Sequence, residues 1–132
     1  MQRLLGTWCL AFLAASPAFA AEKSVKNNPN PAGFENRCGW IDNPTPANWD
    51  LTDKDGIWSI GVQGGRQAEG DLPEFPEGKK YWVKTNGSYG YGCGCLTVKV
   101  DAKEKTVLAI KSGRPLPLAK CRADKALDQA DR

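Results

Sequence analysis

Histidine is absent from all 132 residues. No Ser-His-Asp or Cys-His nucleophile pair is therefore available, no imidazole general base, and none of the usual histidine-built catalytic zinc sites. Charge is weak as a signal too. The formal net charge is +3 at neutral pH, and the basic residues are scattered, which argues against nucleic acid or an anionic membrane surface as a partner. After the first twenty residues no apolar run approaches the length of a membrane-spanning helix. A C-x-x-C knuckle, an internal repeat and a long amphipathic helical pattern are all missing.

Partial motifs fall short one by one. Asp53-x-Asp55-Gly56 has the start of a calcium loop, but Leu51 and Val62 stand where an EF-hand needs a ligand and its closing glutamate. An Asp-Gly turn accounts for it better. Gly90, Gly92 and Gly94 form G-x-G-x-G, yet no helix-forming segment follows, so it is not a dinucleotide loop. Glu69, Asp71, Glu74 and Glu77 supply carboxylates of the kind a glycosidase uses. Their clustering in one Pro/Gly-rich loop reads instead as solvated surface. The sequence thus predicts a non-enzymatic protein, with no cofactor and no metal site.

What is present points to export. Arg3 followed by the mostly apolar Leu4 to Ala15 and the small-x-small triplet Ala18-Phe19-Ala20 forms a signal peptide over 1–20, with cleavage expected after Ala20. Cys9 leaves with it, no membrane anchor remains, and the expected location is the periplasm. The mature chain, about 112 residues, is expected to be one domain and a monomer. It keeps four cysteines, Cys38, Cys93, Cys95 and Cys121. An even number in a small exported domain reads as a disulfide framework. Cys93 and Cys95 lie two apart on an extended strand, side by side on one face and badly placed to bond each other. Cys38 and Cys121 are each expected to join this pair, in either of two combinations, and reduction is expected to loosen the protein.

That strand, within Asn86 to Val100, organises the rest. Gly90, Gly92 and Gly94 alternate with Tyr89, Tyr91, Cys93 and Cys95, leaving one face nearly bare. A bare face implies that a disulfide or another strand lies against it, or that it floors a ligand groove with Tyr89 and Tyr91 as platforms. Further strands are expected over 57–63, with Trp58, Ile60 and Val62 inward, and over 81–85, closed by the hairpin pair Asn86-Gly87. A last strand is expected over 106–111, with Thr106, Leu108 and Ile110 inward. Asn43-Pro44-Thr45-Pro46 reads as a rigid corner, 113–120 as a proline-broken segment, and 123–132 as a tail that is frayed helix or disordered. Residues 21–33 read as a flexible lead-in, and 34–122 as one β-rich domain. The fold class is all-β: a small disulfide-stapled antiparallel barrel or curled sheet of four to six strands, with at most a short C-terminal helix.

An exposed aromatic near 81–83 with the polar loop from Gln63 suggests a shallow saccharide or peptide site. Its candidates are Tyr89, Tyr91, Trp82, Gln63 and Arg66. The phrases R-C-G-W-I-D-N-P-T-P-A-N-W (37–49), D-G-I-W-S-I-G-V-Q-G-G-R-Q-A-E-G (55–70), T-N-G-S-Y-G-Y-G-C-G-C-L (85–96) and P-L-A-K-C-R (117–122) resemble a family of small exported bacterial proteins catalogued as a domain of unknown function. The resemblance implies a periplasmic bacterial protein and carries over no activity or catalytic residue. The expectation is a binding module for a protein or a cell-wall component. The alternative is a metal-binding or thiol-redox protein using Cys93 and Cys95.

Overall fold

The computed structural model describes residues 33–129 and 132. The expected signal peptide, Cys9 and the lead-in up to residue 32 lie outside the described residues. Six strands follow in order, β1 (Glu35–Thr45), β2 (Asn48–Asp53), β3 (Gly56–Gly61), β4 (Trp82–Asn86), β5 (Tyr89–Asp101) and β6 (Thr106–Leu116), then one short helix, α1 (Leu118–Ala123). The all-β expectation holds.

The strands close into a ring. β1, β2 and β3 form an antiparallel meander, and β5 returns to lie beside β1, the Greek-key order. β6 pairs along β5 and meets β3 through a single parallel bridge, Ser59 to Thr106. That seam is filled by the segment after β3. The Ala68 N–H donates to Ile60 O at 2.8 Å, the Glu69 N–H to Leu108 O at 3.0 Å, and the Ile110 N–H to Glu69 O at 2.7 Å. The Arg66 guanidinium spans the same gap, donating to Val107 O at 2.7 Å and Ser59 O at 2.8 Å. β4 extends the wall by pairing with β5 at Tyr89–Gly92, ahead of the part that β6 covers.

Alternation along β5 builds two hydrophobic layers. Gly90, Gly92, Gly94, Leu96 and Val98 face the barrel interior, where Ile41, Leu51, Trp58, Ile60, Leu96, Val98, Val107 and Ile110 pack together. The opposite face carries Tyr91, Cys93 and Cys95. Against it, with Trp40 of β1, lie Leu118 and Cys121 of α1 and Leu127 beyond it. Both disulfides sit in this outer layer. Cys38 bonds Cys95, its register partner across the β1–β5 ladder, and Cys93 bonds Cys121. This is one of the two combinations the sequence left open.

Several local expectations are corrected. The bare glycine face is not covered by a disulfide. The disulfides occupy the other side, and the interior space is filled by rings. A methyl at Gly92 would come within 2.5 Å of Phe75 Cε1 and 2.9 Å of Trp82 Cε3, and one at Gly94 within 2.9 Å of Ile41 Cδ1. In β6 the inward residues are Val107 and Ile110, while Leu108 is exposed. The register skips there, with Lys99 opposite Ala109 and Val100 opposite Val107, so Leu108 is the bulged residue and the alternation shifts by one. β6 also runs through Pro115 to Leu116. Proline is tolerated because that half of β6 is bonded on one side alone, to β5. The corner at Pro44 belongs to β1, whose register breaks between Asp42 and Thr45, where a missing N–H costs least. Val62 lies past the end of β3 and is exposed. The helix starts at Leu118 rather than near Ala123, with Cys121 within it.

One end of the barrel is plugged. The Arg37 guanidinium lies 3.7 Å over the Trp58 ring and donates to Asp53 Oδ2 at 2.6 Å, while Trp58 Nε1 donates to Asp53 Oδ1 at 2.9 Å. Each charge in this buried cluster is thereby paired. The other end, marked by Asn43 of β1 and Trp49 of β2, is where a groove opens.

Candidate functional site

The groove lies between β4 and the segment 72–79, and its volume is about 1270 Å³. Three half-buried aromatic residues make its floor. Trp82 stands at the centre, its ring 4.9 Å from Phe75 and 6.3 Å from Trp49, tilted by 50° and 52° to them. Its indole Nε1–H donates to Ser88 O at 3.1 Å. The sequence explains this arrangement. Gly92 opposite Trp82 leaves room for the ring, and prolines on either side of Glu74-Phe75 hold that loop extended so that Phe75 reaches inward. Glu74 and Glu77 line one side, and Lys79, Lys84 and Arg122 supply positive charge around it.

The position of β4 gives the groove a second character. Trp82, Val83 and Lys84 all line it, although a strand turned face-on would present alternate residues. The groove therefore wraps around the edge of β4. That edge has no second strand partner among the described residues, since β4 ends the sheet and pairs with β5 alone; at its start the Trp82 N–H is taken by Gly78 O at 3.3 Å. An open edge offers a row of N–H and C=O groups to an incoming strand.

The residues expected from sequence to bind a ligand are dispersed. Trp82 is in the groove. Tyr91 is on the opposite face, edge-on to Trp40 at 5.5 Å. Tyr89 sits half-buried at the β4–β5 turn, opposite Asn86. The Gln63 backbone N–H donates to Asn48 Oδ1, and its exposed side chain lies outside the groove lining. Both amino groups of Arg66 are taken by the β3–β6 seam. Sequence reasoning missed Trp49 and Phe75. The flanking prolines of P-E-F-P were the available signal, because an aromatic held in a rigid loop is placed for packing rather than solvation.

Cys93 and Cys95 form no dithiol pair, each being bonded to a different partner. Among the described residues no group of three or more His, Cys, Asp or Glu is placed to hold a metal ion, and no helix is long and apolar enough to cross a membrane. Residues 32–128 match the family described as protein of unknown function (DUF4087). No curated protein and no solved structure matches the chain.

Proposed function

We propose that this chain, which belongs to the DUF4087 family, is an exported binding module that takes an extended peptide segment along the open edge of β4. The observation that carries this reading is the groove's coincidence with a strand edge that has no strand partner among the described residues, lined by three successive β4 residues. Main-chain hydrogen bonds to such an edge give affinity, and pockets for alternate side chains give selectivity. Trp49, Phe75 and Trp82 would supply one apolar pocket, with Glu74 on one flank and Lys84 on the other. A flat saccharide platform fits less well, because these rings tilt against one another and do not lie in one plane. The two disulfides suit an oxidising compartment, the periplasm on the strength of the sequence.

The test is to pan random displayed peptides against the oxidised protein and titrate the recovered sequences by NMR. Amide shifts in Val83–Asn86 and at the Trp82 indole are expected. N-methylation of one edge-bonding peptide amide should weaken binding by roughly fivefold, the worth of about 1 kcal/mol. Binding indifferent to N-methylation at every position, or a glycan fragment that shifts Trp49 and Trp82 while peptides do not, would overturn the proposal.

A further inference from the structure

The outer layer holds a socket that an arginine already fills. Arg132 Nη2 donates to both carboxylate oxygens of Asp42, at 3.1 and 2.9 Å. Its guanidinium carbon lies 5.4 Å from the centre of the Trp40 ring and 5.8 Å from that of Tyr91. The two rings meet at 90°, so they form adjoining walls for a planar cation with Asp42 at the back. Thr52 Oγ1 donates to Asp42 Oδ2 at 3.3 Å and helps fix the carboxylate. Aromatic faces attract cations, and the guanidinium fork fits a carboxylate better than an ammonium does.

Charge does not balance there. Asp50 is the cross-strand partner of Asp42 and has no hydrogen bond or ion pair among the described residues. Arg132 pairs with Asp42 alone, and the Asp50 carboxylate adds a second negative charge beside it. Trp40 Nε1 is, among the described residues, the buried side-chain polar atom left without a partner, in a ring that is 0% exposed. The tail is pinned just before this point. The Gln129 side-chain amide donates to Cys121 O, Asp124 O and Leu127 O, bonds that do not pass through Arg132, whose other hydrogen bonds are Nη1–H to Asp128 O and N–H to Gln129 O, both at 3.3 Å.

We propose that Trp40, Asp42 and Tyr91 form a guanidinium-recognition site, with Asp50 adding negative charge beside Asp42, held in cis by Arg132 and open in trans to an arginine side chain of a partner protein. The intramolecular arginine competes at an effective concentration set by its short tether. Wild-type protein is then self-occupied, and a partner's arginine binds only by displacing it.

The experiment uses the full oxidised chain with Arg132→Ala, probed with N-acetyl-arginine methylamide and its lysine counterpart, following the Trp40 indole and Tyr91 ring signals by NMR. If Arg132 fills the socket about nine-tenths of the time, its removal should tighten arginine binding about tenfold. The lysine probe should bind at least several-fold more weakly. Adding Asp42→Asn to Arg132→Ala should abolish the shifts while spectral dispersion shows the fold intact. Arg132→Lys should fall between wild type and Arg132→Ala. Equal binding by wild type and Arg132→Ala, equal response to both probes, or survival of binding in the Asp42→Asn combination would each overturn the assignment.

Discussion

Replacing Cys93 and Cys121 together by alanine opens a closure of 28 residues that spans most of β5, all of β6 and most of α1. Loop-closure entropy assigns such a bond about 3.5 kcal/mol, and the 57-residue closure between Cys38 and Cys95 about 4 kcal/mol. For a domain near 100 residues either loss corresponds to a fall of roughly 15–30 °C in Tm. The two double variants should nevertheless look different locally. Cys38 and Cys95 face each other within a ladder running from Glu35–Val98 to Asn43–Gly90, which survives the loss of the bond. Their effect acts through the freed unfolded chain, and native amide protection should fall evenly. Cys93–Cys121 is the covalent tie of a six-residue helix to the outer layer. A helix that short has no stability of its own. Its amides over Leu118–Ala123 should therefore lose nearly all protection while the ring strands keep theirs. Thermal denaturation followed by circular dichroism, with native-state hydrogen exchange by mass spectrometry, measures both effects. A Tm loss under about 5 °C for either variant would refute the entropic reasoning. Equal protection of α1 in the two variants would refute the assignment of roles.

Two further outcomes are expected. Gly92→Ala pushes a methyl into Phe75 and Trp82 and should cost about 1–3 kcal/mol by overpacking; Phe75→Leu in the same chain should restore part of it, and strict additivity in a denaturant double-mutant cycle would count against that contact. Burial first, and Asp42 second, raise the pKa of Asp50 above the usual carboxylate value. Its ionised form thus opposes folding as pH rises through the raised folded value, and its protonated form does not. Asp50→Asn should raise Tm at pH 7 by an amount that fades as pH drops below the unfolded carboxylate range, so a gain equal at pH 7 and pH 3 would contradict the sign.

Much of the ring was legible in the sequence, because its signals are local. Trp58 and Ile60 alternate inward as period-2 reasoning expects, the even cysteine count implies two bonds, and the Asn86-Gly87 signal marks a hairpin, though Asn86 pairs with Tyr89 and the turn itself falls one residue on, at Gly87-Ser88. What escaped depends on partners distant in the chain. The bulge at Leu108 arises from how β6 fits β5, and nothing in Thr106–Lys111 announces it. Space inside the barrel beside Gly92 is taken by Phe75 from a loop that reads as exposed, since its neighbours are proline and glutamate. Tyr91 and Trp82 were grouped as one surface; strand register places them on opposite faces, which a face count along β5 alone cannot relate to β4. The Arg132 socket joins a tail to β1 across 90 residues, beyond any sequence window.

The pairing of β1 with β5 also bears on how the correct disulfide is chosen. Cys93 and Cys95 lie one pleat apart on the same face, so sliding β1 by two residues would bring Cys38 opposite Cys93 and leave every side chain on its proper side. Hydrophobic patterning is blind to that slip. What opposes it is shape: the slipped strand would set Trp40 opposite Tyr91, and Cys121 would be left to find Cys95. The native bond therefore records a register already settled by Trp40 seated opposite Cys93 under the helix. Oxidation that outruns this seating would lock in the wrong frame, and escape from it would need thiol–disulfide exchange.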